Sequence, residues 1–256
     1  MPRGVPGVIG SVSRKGLVGV VAWAAFAALT VLVVLGHGAP PAPDRGLHAW
    51  SLAYRPPVAA AVARGLTDTG TGLVPYALAA LAGVIAVRTR RQRGTAVLLA
   101  LGCLVLRQVA RYGVMALVGR PRPPHADWQA LASGWSYPSG HTTTSAMTAR
   151  LLIAALYLRS PRGRGVLMAL AACWAVAVGL TRIYLGVHWF TDVVGGWLFA
   201  VGWLWACGAV AARYLPGRLG PGAPVSGPAD PSDEAEGPLE TDATEDPHRR
   251  GGARPA

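Results

Sequence analysis

Six apolar stretches, each close to the length of a bilayer crossing, constrain this chain more than anything else in it. They run approximately over 17–35, 71–87, 95–118, 142–158, 165–184 and 190–212. A hydrocarbon core takes about 20 helical residues to cross, with a range near 17–25. Each stretch therefore predicts a membrane helix. Their Ala, Leu, Val and Gly content suits helices that pack through small residues, and no alternating pattern of roughly ten residues recurs that would suggest a barrel. With 52% hydrophobic and only 14% charged residues, a soluble domain is excluded as the main body. The expectation is an all-α integral membrane protein, a six-helix bundle. The first stretch follows Arg14 and Lys15 but is too long for a signal peptide's apolar region and lacks a small-residue cleavage site, so it reads as an uncleaved helix.

The net charge of +12 is unevenly spread. The first 215 residues hold only Asp44, Asp68, Asp127 and Asp192 as acids, and eight more follow Pro216. The arginines lie at the ends of apolar runs, where membrane topology places them, so no nucleic-acid partner is expected. Arg3, Arg14 and Lys15, then Arg88–Arg93, Arg159–Arg164 and Arg213–Arg218 mark alternate loops as cytoplasmic. Both termini are then inside, and 36–70, 119–141 and 185–189 face outward. Prolines 40, 41, 43, 56 and 57 leave room in 36–70 for only a short interfacial helix near 46–55. The chain thus divides into a cytoplasmic N-terminus (1–16), a first membrane helix with its outer segment (17–70), a membrane domain (71–215) and a disordered acidic cytoplasmic tail (216–256).

Three clusters interrupt the apolar pattern, all on the outer side: Gly119-Arg120-Pro121-Arg122-Pro123-Pro124, Tyr137-Pro138-Ser139-Gly140-His141, and Thr181-Arg182 with His188 and Asp192. Arg122 and Arg182 offer planar donor forks that match phosphate oxygens. Ser139-Gly140-His141 opens a helix, whose free N–H groups and positive dipole end attract anions. Ser139 suits an N-cap, and Gly140 lets a ligand approach the backbone. His188 and Asp192, four apart, share a helix face. The carboxylate fixes the imidazole tautomer and leaves the other nitrogen free to attack. Cys103, Cys173 and Cys207 lack metal-ligand spacing, and no carboxylate cluster suggests a metal, so neither metal nor cofactor is expected.

These residues resemble the type 2 phosphatidic acid phosphatase (PAP2) superfamily, whose pattern is K-x6-R-P, P-S-G-H and S-R-x5-H-x3-D. Arg122-Pro123, Pro138-Ser139-Gly140-His141 and Arg182, His188 and Asp192 match it over roughly 70–212. The resemblance implies a six-helix core shared with vanadium haloperoxidases and a lipid phosphate or lipid pyrophosphate substrate. It also implies metal-independent hydrolysis through a phosphohistidine at the extracytoplasmic face. His188, His141 and Asp192 would be catalytic; Arg122, Ser139, Gly140 and Arg182 would hold the substrate. Two positions depart: Thr181 replaces serine, and Met115 replaces lysine. Arg120 is expected to compensate for Met115, in preference to Arg111, because helical side chains lean toward the N-terminus and so away from the outer site. The alternative is a catalytically weakened lipid-binding or scaffold protein on the same fold. Arg107, Arg111 and Arg150 fall within membrane stretches, where a charge is costly and usually faces the bundle interior.

Overall fold

A computed structural model describes residues 14–159 and 162–214. The expected tail over 216–256 and most of the N-terminal segment lie outside the described residues. The described chain is helical, with no strand: α1 (Arg14–Leu35), α2 (Ala42–Ala53), α3 (Pro57–Asp68), α4 (Leu73–Ala86), α5 (Arg90–Val118), α6 (Gly140–Arg159), α7 (Arg164–Tyr184) and α8 (Phe190–Tyr214). A short 3-10 turn covers His125–Asp127.

Helices occupy all six of the expected stretches, as α1 and α4 to α8. Length and hydropathy alone qualify four for a crossing: Gly16–Leu35, α5, α7 and α8. The pair α3 and α4, bent by 47°, is a fifth candidate. α6 does not qualify by composition, because its first half is rich in hydroxyl side chains; its packing against α4, α7 and α8 places it in the bundle. α5 starts five residues earlier than expected. Thr89 caps it by accepting the Gln92 N–H at 3.3 Å, so Arg90, Arg91 and Arg93 belong to the helix rather than to a loop.

The outer segment differs from expectation. It holds two helices, α2 and α3, in place of one near 46–55. The prolines start these helices rather than break them: Pro41 and Pro56 are N-caps, and Pro43 and Pro57 lie in the first turn. There proline costs no hydrogen bond, because those N–H groups have no intrahelical acceptor.

α6 is the axis of the bundle and packs against α4, α7 and α8. Thr142 through Ala149 are all buried, a helix enclosed on every side. Its hydroxyls are satisfied locally: Thr143 Oγ1 donates to the Ser139 carbonyl at 2.6 Å, and Thr144 Oγ1 to that of Gly140 at 2.8 Å. Thr148 Oγ1 donates to the Pro75 carbonyl of α4 at 3.3 Å. Ala79, Leu104, Ala146, Met147 and Ala200 form one apolar cluster among α4, α5, α6 and α8. Phe26, Val33, Tyr137 and Phe199 form another, which seats α1 against α8. Outward, α1 exposes Leu17, Val18, Val21, Leu32 and Leu35. So large an apolar surface suits lipid, not water.

Small residues let α8 approach its neighbours. A Cβ at Gly195 would lie 2.5–2.8 Å from the Tyr137 ring, and one at Gly196 3.0 Å from Thr142 Cβ. Gly195→Val should therefore lower stability by about 1–3 kcal/mol through overpacking, read as a fall in Tm in detergent. An unchanged Tm would show that this contact is loose.

Candidate active site

The end of α5, the start of α6 and the α7–α8 turn meet at one end of the bundle. α5 is stopped by Gly119, whose left-handed backbone (φ 58°) closes a hydrogen bond to the Met115 carbonyl at 3.1 Å and turns the chain into Arg120-Pro121-Arg122. From there 119–139 folds back: the Ser136 N–H donates to the Arg120 carbonyl at 2.9 Å, and Ser139 N–H to the Asp192 carbonyl at 3.1 Å.

A cavity of about 590 Å³ opens where these pieces meet. Its wall includes Arg111, Arg122, Gly140, His141, Arg182 and His188, with Gln108, Tyr112, Met115 and Leu131 toward the α5 side. The two histidines, 47 positions apart in the chain, thus face a single space. None of the four ion pairs among the described residues includes Arg111, Arg122 or Arg182. Three guanidinium groups without carboxylate partners around one cavity make a site for an anion. No three His, Cys, Asp or Glu side chains gather as a metal site needs among the described residues.

His188 is 3% exposed. Its Nε2 lies 3.0 Å from Arg122 Nη1, and its Nδ1 lies 3.3 Å from Asp192 Oδ2. Arginine only donates. Nε2 must therefore be the acceptor, and the ring hydrogen sits on Nδ1, facing the carboxylate. Burial, reinforced by Arg122, Arg182 and Arg111, holds this imidazole well below the usual histidine range, so it is neutral. Burial likewise lowers Arg122 to about 10, which leaves it protonated at neutral pH.

Asp192 is fully buried and does not reach the cavity wall. Oδ2 also accepts the Trp189 N–H at 2.9 Å, and Oδ1 accepts Arg120 Nη1 at 2.6 Å. Arg120 was expected to touch substrate. Instead it is buried without exposure, away from the cavity, and its other nitrogens donate to Asp44 Oδ2 at 2.7 Å and the Gly38 carbonyl at 3.3 Å. Four of its five N–H groups are engaged inside the protein, and the side chain does not line the cavity. Asp44, on α2, was assigned no role from sequence; its scarcity as one of four acids in 1–215 was the available signal. It also accepts the Thr191 N–H at 2.8 Å, which ties α2 to the start of α8.

Arg122 lines the cavity, yet its five N–H groups are all engaged. They donate to the carbonyls of Ser133, Gly134, Trp135 and Val187 at 2.8–3.0 Å and to His188. Arg182 donates Nη1 to Thr67 Oγ1 of α3 at 3.0 Å and keeps its Nε unpartnered. Ser139 is buried beside the cavity, not on its wall; its Oγ accepts Thr142 Oγ1 at 3.0 Å. The three intramembrane arginines separate. Arg111 turns into the cavity, Arg150 is exposed on the flank of α6, and Arg107 is fully buried with no hydrogen-bond partner for its three nitrogens.

Residues 96–215 match the sequence profile of the PAP2 superfamily. The matched stretch, a little under half of the chain, is similar to that superfamily. Phosphatidylglycerophosphatase B of Escherichia coli (strain K12) is 35% identical over 101 residues, 40% of this chain and 37% of that protein. An undecaprenyl-diphosphatase of Sulfolobus acidocaldarius is 36% identical over 119 residues, 43% of this chain and 51% of that protein. The chain therefore spans about half, or less, of the length of these relatives. Its fold is similar to the crystal structure of the transmembrane PAP2 type phosphatidylglycerolphosphate phosphatase from Bacillus subtilis. That likeness has a TM-score of 0.63 at 22% identity, covering 77% of this chain and 96% of the other. Aquifex aeolicus LpxE gives 0.52 at 22% identity, covering 68% and 97%. The likeness in fold and the long apolar helices together make this a multi-pass membrane protein.

In this site Arg120 neutralises two buried carboxylates. Arg120→Met should cost about 3–5 kcal/mol of stability, because it leaves both uncompensated. A large fall in Tm in detergent is expected. An unchanged Tm with a raised KM would instead restore Arg120 as a substrate contact.

Proposed function

We propose that this chain is a lipid phosphate or lipid diphosphate phosphatase that works through a phosphohistidine at the extracytoplasmic face of the membrane. The observation that carries this reading is the cavity in which His141 and His188 share three arginines without carboxylate partners. His188 Nε2 attacks phosphorus, the bond to the lipid oxygen breaks, and His141 gives that oxygen a proton. Water then attacks the phosphohistidine, His141 takes its proton, and the P–Nε2 bond breaks to release phosphate. Asp192 is a positioning residue that keeps the hydrogen on Nδ1, so that Nε2 carries the free pair. The Arg122 and Arg182 guanidinium groups and the Gly140 N–H stabilise the charge on the transferring group.

A lipid substrate fits the cavity's flank, where the wall runs from the histidines to Tyr112 and Leu131, both exposed at the bundle surface. The curated relatives named above carry phosphatase names, which agrees with hydrolysis of a lipid phosphate or diphosphate here. The arginine-rich alternate loops support the outward site and inward termini.

The test is phosphate release in detergent from phosphatidic acid, phosphatidylglycerol phosphate and undecaprenyl diphosphate, with EDTA present. His188→Ala should abolish turnover, and His141→Ala should lower it about 10²–10⁴-fold. Release that requires a metal would refute the metal-free route, and no release from any lipid would favour a binding protein. The pH profile gives a second reading. A histidine lowered by burial stays deprotonated below its ordinary value near 6.5. As pH falls, kcat/KM for the free enzyme should hold through 6.5 and decline only further into acid. An acid limb at or above 6.5 would count against His188 as the nucleophile.

A further inference from the structure

Three arginines face the cavity, and they differ in what they have left to give. Arg122 has every N–H engaged. Arg182 is anchored from α3 through Thr67. Arg111 is only 6% exposed, yet its Nε is unpartnered. Its Nη1 has two weak acceptors, the Pro138 carbonyl at 3.3 Å and Met115 Sδ at 3.5 Å. A thioether is a poor acceptor, and a charged donor buried against such partners lacks most of what it lost in leaving water.

Its position is as telling as its weak pairing. Arg111 reaches along α5 toward Met115, against the usual lean of helical side chains, with its Cζ 4.4 Å from the Tyr112 ring centroid. The guanidinium ends at the first turn of α6. A methyl group at Gly140 would lie 3.1 Å from Arg111 Cζ and 3.3 Å from its Nε. The missing side chain at Gly140 thus admits a cation from α5 to the anion-attracting end of α6. Met115, one turn nearer the outer end, is also on the cavity wall but has no charge to offer.

We infer that Arg111 is a phosphate-binding residue of this site, supplying from one turn deeper in α5 the cationic contact that Met115 cannot make. The inference rests on the phosphatase reading only for its kinetic arm; its binding arm needs no turnover. Inorganic phosphate at about 10 mM is the binding probe, read as a rise in Tm of the full chain in detergent, since a ligand of the folded state stabilises it.

Wild type should be stabilised by phosphate, and Arg111→Met should lose that stabilisation and about 10²-fold in kcat/KM. Arg111→Lys should retain part of both. The pair Arg111→Met with Met115→Lys, which moves the cation one turn outward, should recover at least tenfold over Arg111→Met alone. A wild type that phosphate does not stabilise overturns the inference. So does an Arg111→Met chain within twofold of wild type in both readouts. Loss in Arg111→Met that neither lysine variant recovers assigns Arg111 to packing and overturns it as well. If no lipid is hydrolysed while the phosphate shift still depends on Arg111, the phosphatase reading fails and this inference stands.

Discussion

One buried carboxylate holds the site together. Asp192 takes Arg120 on one oxygen, and His188 and the Trp189 N–H on the other, while its backbone carbonyl accepts the Ser139 N–H. Those partners come from the segment after α5, the start of α6 and the α7–α8 turn, which are the three clusters that break the apolar pattern. A carboxylate within a bilayer-sized bundle is tolerable only when it is paired and hydrogen-bonded. That requirement fixes where the three segments meet. α2 joins the same network, because Asp44 is the second acid on Arg120.

The charge ledger separates structure from chemistry. With four acids against twenty basic residues in 1–215, there are too few carboxylates to give each arginine its own. Arg120 takes two of the four acids, and Asp127 pairs with His48 at 2.9 Å. Arg111, Arg122 and Arg182 stay without a carboxylate, and they converge on the cavity. Anion affinity here follows from what is withheld from these residues as much as from their presence.

Much of this was legible from residue order. The six apolar runs became α1 and α4 to α8, because crossing length and hydropathy leave little choice. His141 and His188 share a space at one end of the bundle, and the spacing of the arginine-rich loops had placed their segments at a common end. Side-chain direction was less legible. Arg120 looked like the substitute for Met115 because it is nearer the outer end, but the carboxylate that captures it comes from Asp44, 76 positions away in a segment without a motif. Arg111 was disfavoured by the general lean of helical side chains, which a vacancy at Gly140 and the Tyr112 ring locally outweigh. The outer segment was misread for a related reason: its prolines look like breakers in a list and act as starters once helix ends are placed.

The full engagement of Arg122 carries a consequence for turnover. A phosphoryl group arriving there would displace carbonyl oxygens and His188 Nε2 from donors that are already occupied. Docking at that fork is an exchange of partners, so its net gain is small compared with filling an empty one. Inorganic phosphate, with no acyl or prenyl chain to add contacts along the α5 flank, gains least from the swap. In the proposed reaction the resting contacts around Arg122 would therefore compete with the product and ready the fork for the next lipid.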